Sequence, residues 1–489
     1  MVTSTLGPAV TPVDVRLDGW PDEAVGNGTP VPVLGGGALP YAYLDNAAST
    51  PALRAVLEAV QQFLPWYSSV HRGTGIKSQV ATAAYDAARE RVRSFLGADD
   101  RQAVIFTKSA TEGLNRLSHL AAARQSIVFV SALEHHANLL PWRLRARETR
   151  LIRADGDGVL DEDDLRRQLR EAPRGHRLVS VCGASNVTGY TPPIHRLARL
   201  AHEYGAEIVV DGAQLVAHRA LNLRGNAPGE GIDYFAFSSH KVYAPFGSGA
   251  LVAPKQAFDG APLLVGGGAT AEVTPDDVIW HALPDREEAG SPNVVGAVAL
   301  GVALARLDEL GREALHQHEL ALTDYALRRL ALVPGLRVLG PRTARDRVGV
   351  VSFVLDGIPH DVIATTLSRR HAIGVRHGRF CAHPGLDHML AARGVGADGA
   401  TGQGCTDGRG AVRVSLGLQN TRAEIDRLGD ALVALAERRP SGQHPEPGID
   451  PDALPPAWLD AVPPAVRRLL DPLDSAQYGT HADTVCQEV

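Results

Sequence analysis

From about residue 41 to residue 300, short apolar runs alternate with longer amphipathic stretches. Ala103-Val104-Ile105-Phe106, Ile127-Val128-Phe129-Val130, Leu178-Val179-Ser180-Val181 and Ile208-Val209-Val210 read as buried strands, being too brief for helices and rich in β-branched residues. The segment from Pro193 sets Ile194, Leu197, Ala198 and Ala201 on one helical face. Buried strands separated by helices predict a mainly parallel α/β sheet. A long helix is expected after Gly290-Ser291-Pro292, ending about Leu310. Beyond it, the runs starting at Gly349 and Ala411 predict strands of a smaller α+β unit that closes near Arg438.

This pattern divides the chain. Residues 1–40 lack periodicity and are read as a flexible tail or an arm lying on the surface. Residues 41–300 form a large domain and residues 301–438 a small C-terminal one. Residues 439–489 hold a Pro/Gly/Glu-rich linker and a tail with a short helix near Ala465–Leu470.

Composition narrows the function classes. With 489 residues, 44% of them hydrophobic, the chain can bury a large core. Its formal charge of -6, without a basic stripe, argues against nucleic acid as a partner. No apolar run reaches spanning length, so no membrane segment is expected. The N-terminus carries Asp14, Asp18, Asp22 and Glu23 and no apolar core, unlike a targeting peptide. Cys182, Cys381, Cys405 and Cys486 lie far apart, without the spacing of a metal site or disulfide framework. Free thiols suit the reducing cytoplasm.

Lysine is scarce: only Lys77, Lys108, Lys241 and Lys255 occur. Lys241 follows the apolar run Tyr234–Phe237 through Ser238-Ser239-His240, and Asp211 closes the strand before it. Sites in open α/β sheets gather at the carboxyl ends of strands. A pyridoxal enzyme needs such a pair: a lysine to hold the cofactor, and a carboxylate to keep the pyridine nitrogen protonated. Taken singly, each has a plainer reading, since an Asp after a strand is often a turn or cap. The helix opening at Ser109-Ala110-Thr111-Glu112 offers N–H groups for a phosphate. The same residues can form a capping box, and the two readings are compatible.

Six segments occur in one order: Tyr43-Leu44-Asp45-Asn46-Ala47-Ala48, Val70-His71-Arg72-Gly73, Glu134-His135-His136-Ala137-Asn138, Ser185-Asn186-Val187-Thr188-Gly189, Val210-Asp211-Gly212-Ala213-Gln214 and Ser239-His240-Lys241. With Arg376 and Cys381, they resemble the SufS-type cysteine desulfurases of the class V aminotransferase family over roughly residues 41–438.

The resemblance implies a pyridoxal 5′-phosphate enzyme of fold type I, aspartate-aminotransferase-like, working as a homodimer. Lys241 would carry the cofactor and Asp211 would partner its ring nitrogen. His135 would stack on the ring and assist proton transfers. Asn186 and Gln214 would bond the ring-oxygen region, and Ala110, Thr111, Ser238 and His240 would hold the phosphate. Ser291 would supply a phosphate contact to the neighbouring subunit; alternatively it is the N-cap of a helix with Pro292 at N1. Arg413 would clamp the substrate carboxylate, aided by Asn186, and Arg376 would organise the loop of Cys381. Cys381 would take sulfur from L-cysteine as a persulfide, leaving alanine, and pass it to an acceptor protein or a small thiol.

Residue chemistry agrees at Cys381, which is flanked by Arg376, His377, Arg379 and His383; positive neighbours favour a thiolate. Cys182 lies on a predicted buried strand and reads as packing. Phe380 departs from the family, where a His is common, and the stretch from Cys381 to Arg413 is longer than usual. Rival readings are a selenocysteine lyase, an epimerase or another carbon–sulfur lyase, and a non-catalytic scaffold. The N-terminal tail is a candidate for docking to a partner or compartment.

Overall fold

The computed structural model describes residues 17–71, 73–395 and 409–437, together with Pro463 and Val466. The linker, most of the C-terminal tail, Arg72, Cys405 and Cys486 lie outside these residues. At the centre is a seven-stranded sheet. Its strands are β1 Gln102–Thr107, β2 Ile127–Ser131, β3 Glu148–Ile152, β4 Arg177–Cys182, β5 Glu207–Asp211, β6 Tyr234–Ser238 and β7 Gly249–Pro254. They lie in the order β1-β7-β6-β5-β4-β2-β3. Neighbours from β6 to β3 pair in parallel, and β7 runs antiparallel between β6 and β1. The four apolar runs of the sequence became β1, β2, β4 and β5, buried along nearly their whole length as a helix-covered sheet requires. Edge strand β3 opens on the polar Glu148-Thr149-Arg150 and is buried only at Ile152, so its sequence carries a weaker signal.

Helices cover both faces. On one side lie α1 Ile76–Leu96, α3 Ile194–Glu203 and α4 Val294–Leu310; on the other lies α2 Ala110–Ala123. The core between α1, α3, α4 and the sheet includes Tyr85, Phe95, Leu197, Leu200, Leu300 and Phe235. Helix α5 Arg312–Leu330 leads into the small unit. That unit is an antiparallel sheet of β8 Leu336–Leu339, β9 Val350–Leu355, β10 Arg376–Gly378 and β11 Ala411–Ser415, in the order β8-β9-β11-β10. Its own core joins Leu322, Phe353, Val412, Val414 and Leu428. Among the described residues no helix is long and apolar enough to cross a membrane.

Residues 17–40 are not a free tail. The Trp20 N–H donates to Leu418 O, Glu23 pairs with Arg306 of α4, and the Leu34 N–H donates to Arg369 O. Pro30–Pro32 and Ala38–Pro40 form a hairpin closed by Gly35-Gly36-Gly37, all at positive φ. The arm is held mainly by backbone hydrogen bonds and Gly/Pro turns, which leave no hydrophobic period to read.

Candidate active site

Strands β1, β2, β4, β5 and β6 deliver their functional residues at one edge, because parallel strands end on the same side. Asp211 ends β5 and is 5% exposed. Its Oδ1 accepts from the Ala213 N–H at 3.0 Å. Burial raises its pKa, opposed by that hydrogen bond and by the charge of Lys241. Lys241 closes the turn after β6. Burial pulls its amine down to about 8, more than the neighbouring Asp211, Cys381 and Asp45 pull it up.

His135 follows β2 and caps a short turn, its Nδ1 accepting from the Ala137 N–H at 3.0 Å. That bond leaves the proton of the neutral ring on Nε2. Burial, with Lys241, His136 and Arg413 nearby, lowers its pKa to about 4, so the ring is neutral at working pH. His240 is likewise held near 4, by burial first and Lys241 second.

At the start of α2, the Ala110 N–H is taken by Ser238 Oγ at 2.8 Å. Ser109 is the N-cap residue, yet its side chain makes no capping bond. Glu112 instead reaches back to the Lys108 N–H at 2.7 Å. The capping box expected there is therefore replaced by a cap from another strand. The N–H groups of Thr111 and Glu112 have no helical partner by position, and the Thr111 side chain is exposed. Glycine at 249 is required here, since a Cβ would lie 2.4 Å from Phe237 O and 3.0 Å from Ser109 Cα.

Asn186 and Gln214 are both buried and both engaged. Gln214 Nε2 donates to Ala47 O at 2.7 Å, and Asn186 Nδ2 donates to Phe380 O at 2.8 Å. Arg413 of β11 is buried, with Nη1 donating to Asn186 O and Nη2 to Asp45 Oδ1, each at 3.0 Å. Burial dominates on both sides of that ion pair, lowering the pKa of Arg413 and raising that of Asp45. The Nε of Arg413 finds no acceptor among the described residues, so the chain itself does not use every donor of this guanidinium.

Arg376 sits opposite Arg413 in the sheet register but is exposed, out of the buried cluster. Ser291 is exposed too. The N-cap of α4 is Asn293, whose Oδ1 accepts from the Gly296 N–H at 2.9 Å, so the capping role expected of Ser291 falls two residues later. Nothing else in this chain engages the Ser291 side chain among the described residues.

Cys381 is exposed, on a loop where Gly378, Phe380 and Cys381 all have positive φ. The loop is tied down by the His136 N–H, which donates to Cys381 O at 2.7 Å, and by the Asn186 bond to Phe380 O. Cys381 lies close enough to Lys241 and Arg413 to count among the groups that bear on both cations. Arg379 pairs with Asp387, so part of the positive surround expected for Cys381 is neutralised. Cys182 is buried and its thiol is pushed well up by burial, as befits packing rather than chemistry.

Sequence reasoning gives Glu134 no role, although it stands next to His135. It is fully enclosed, its Oε1 accepting from the Cys182 N–H at 2.8 Å and Oε2 from Asn138 Nδ2 at 2.6 Å. Asn138 Oδ1 in turn accepts from Trp142 Nε1 and Ser180 Oγ. Burial pushes Glu134 up to about 7, against these hydrogen bonds. A charged residue beside the motif histidine was the only signal available. Among the described residues no group of His, Cys, Asp and Glu could hold a metal ion.

The Aminotransferase class-V family model matches residues 42–428. The chain belongs to the class V aminotransferase family. Members of this family are pyridoxal-phosphate-dependent, and the sheet described here has their fold type I, aspartate-aminotransferase-like architecture. A class V relative from Cronobacter sakazakii, named a cysteine desulfurase, is 35% identical over 408 residues, covering 81% of this chain and 93% of its own. A probable cysteine desulfurase of Streptomyces coelicolor is 34% identical over 405 residues, covering 80% and 91%. Among solved structures, the apo cysteine desulfurase of Thermococcus onnurineus NA1 superposes with a TM-score of 0.72 at 30% identity, covering 81% of this chain and 95% of that one. The cysteine desulfurase CsdA of Escherichia coli, in an S-sulfonic acid form, gives a TM-score of 0.68 at 31% identity over 81% and 95%.

Proposed function

We propose that this chain is a cysteine desulfurase: it binds L-cysteine at the sheet edge, moves its sulfur onto Cys381 and releases L-alanine. The observation that carries this reading is the exposed Cys381 thiol, tied by His136 and Asn186 beside the buried Lys241–Asp211 pair. The donor set fits pyridoxal 5′-phosphate: Lys241 for the covalent link, Asp211 for the ring nitrogen, and the start of α2 with Ser238 and His240 for the phosphate. Thr111, Asn186, Gln214 and His135 complete the surround. When bound, the cofactor supplies an electron sink for charge developing at the substrate Cα.

The residues divide the work. Arg413 orients the substrate through its carboxylate, a task suited to a planar guanidinium. Lys241, held near 8, is partly neutral at physiological pH and can take the Cα proton. His135 lies as a neutral ring that donates from Nε2. Cys381 Sγ attacks the substrate sulfur. A sulfur–sulfur bond forms as the carbon–sulfur bond breaks, and the electron pair stays with the carbon, which is protonated to give alanine. No outside oxidant is needed, because the persulfide keeps the oxidation that alanine loses. An acceptor protein or small thiol then takes the sulfur. Arg376, exposed beside this loop, helps organise it.

The reading includes a homodimer. Its support is the exposed apolar set Leu64, Trp66, Tyr67 and Ile76, each 47–71% accessible, and Ser291, which is free to reach a second subunit's phosphate site. A reducing cytoplasm is the setting in which a thiol nucleophile persists. The reading also includes docking to a partner or compartment by the N-terminal 40 residues, of which residues 1–16 lie outside the described residues. The test is incubation with L-cysteine and a reductant. Alanine and sulfide in equal amounts are expected, and alanine without sulfide would overturn the reading.

A further inference from the structure

Three contacts between Asn186, Phe380 and Arg413 close on themselves. Asn186 Nδ2 donates to Phe380 O, Arg413 Nη1 donates to Asn186 O, and the Arg413 guanidinium carbon lies 5.0 Å from the centre of the Phe380 ring. Phe380 is 8% exposed, and its ring is set among Val187, Leu339, Leu386, Met389, Leu390 and Ala411. It holds φ +53, and Cys381 after it holds φ +51. Two successive left-handed residues are strained unless their surroundings fix them. Here the buried ring and the donors on both carbonyls do so.

All five N–H donors of a guanidinium lie in one plane. A ring packed against the guanidinium therefore restricts the directions its donors can take, including that of the Nε that has no acceptor among the described residues. The same side chain that anchors the nucleophile loop thus aims the group assigned to the substrate carboxylate. We propose that Phe380 is a positioning residue that couples the Arg413 carboxylate clamp to the Cys381 loop, so that substrate binding and nucleophile placement are set together. It touches neither substrate nor cofactor, and it acts through Arg413. The proposal rests on the assignment of Arg413 and Cys381 made above.

The test uses holoenzyme and three variants: Phe380→Leu, Arg413→Lys and the double variant, with Phe380→Met as a second apolar replacement if Phe380→Leu does not fold. KM for L-cysteine is measured beside the affinity for L-alanine, a sulfur-free carboxylate read by the change in cofactor absorbance. Loss of a cation–π contact predicts that Phe380→Leu weakens both by the same factor, about 2- to 30-fold, with cofactor absorbance retained. Because Phe380 acts through Arg413, the double variant should bind no worse than Arg413→Lys alone. Fully additive losses, or an unchanged KM in Phe380→Leu beside an impaired Arg413→Lys, would overturn the proposal alone. An unchanged KM in Arg413→Lys would remove the carboxylate assignment itself, and the proposal with it.

Discussion

The cofactor edge and the nucleophile loop solve opposite problems. At the edge, Asp211 and Ser238 end buried strands whose main-chain pairing fixes them, and Lys241 follows in the short turn directly after β6. The loop has no such frame. Cys381 is exposed, sits on left-handed backbone and is held by two donors from segments that follow β2 and β4 of the large sheet, His136 N and Asn186 Nδ2. A site that must grip a cofactor is built from the sheet, whereas a thiol that must later deliver sulfur is built from a loop that reaches solvent. Changes at the edge should therefore disturb cofactor binding, and changes at the loop should spare it.

The largest effect is expected at Lys241. Lys241→Ala should abolish both turnover and the absorbance of lysine-bound cofactor, and borohydride reduction should label Lys241 rather than Lys77, Lys108 or Lys255. His135→Ala should keep the absorbance and slow turnover by about 10²- to 10⁴-fold, the range for a general acid–base group; a loss of colour would place His135 in cofactor retention instead.

A smaller effect distinguishes the lysine's environment. A neutral amine is needed to attach the cofactor, and burial holds Lys241 near 8. Reconstitution of apoenzyme should therefore speed up about tenfold between pH 7 and 9 and level off above 8. A rate that still climbs steadily past pH 9 would mean the amine keeps its ordinary value. The smallest effect is at the start of α2. Ser238→Ala should cost about 0.5–2 kcal/mol of stability and weaken cofactor retention, whereas Ser109→Ala should leave the melting temperature unchanged. Equal losses from the two would mean that Ser109 caps after all.

This contrast also explains what could be read from the chain beforehand. Apolar runs announced β1, β2, β4 and β5, and polar residues just past such runs announced Asp211 and Lys241. Both signals are local in sequence. The cap on Ala110 comes from Ser238, 128 positions away, and no local pattern reports it. The same holds for Asn186 reaching Phe380 across 194 positions. Asn293 was missed as the α4 cap because Ser291 before a proline is an equally good local signal. For residues 17–40 the sequence left a flexible tail and a surface arm equally open, and the arm is what forms, held by backbone hydrogen bonds that leave no mark in side-chain periodicity.

The central claim is that Cys381 receives the sulfur while the sheet edge holds the cofactor, and one measurement tests it most directly. Wild-type holoenzyme is mixed with one equivalent of L-cysteine without reductant, digested and mapped by mass, with Cys381→Ala treated in parallel. The account predicts one added sulfur atom on the peptide containing Cys381, and in the variant an intact cofactor absorbance with no persulfide and little alanine. A Cys381→Ala enzyme that releases alanine and sulfide at near wild-type rate, or a persulfide found on Cys405, would contradict it.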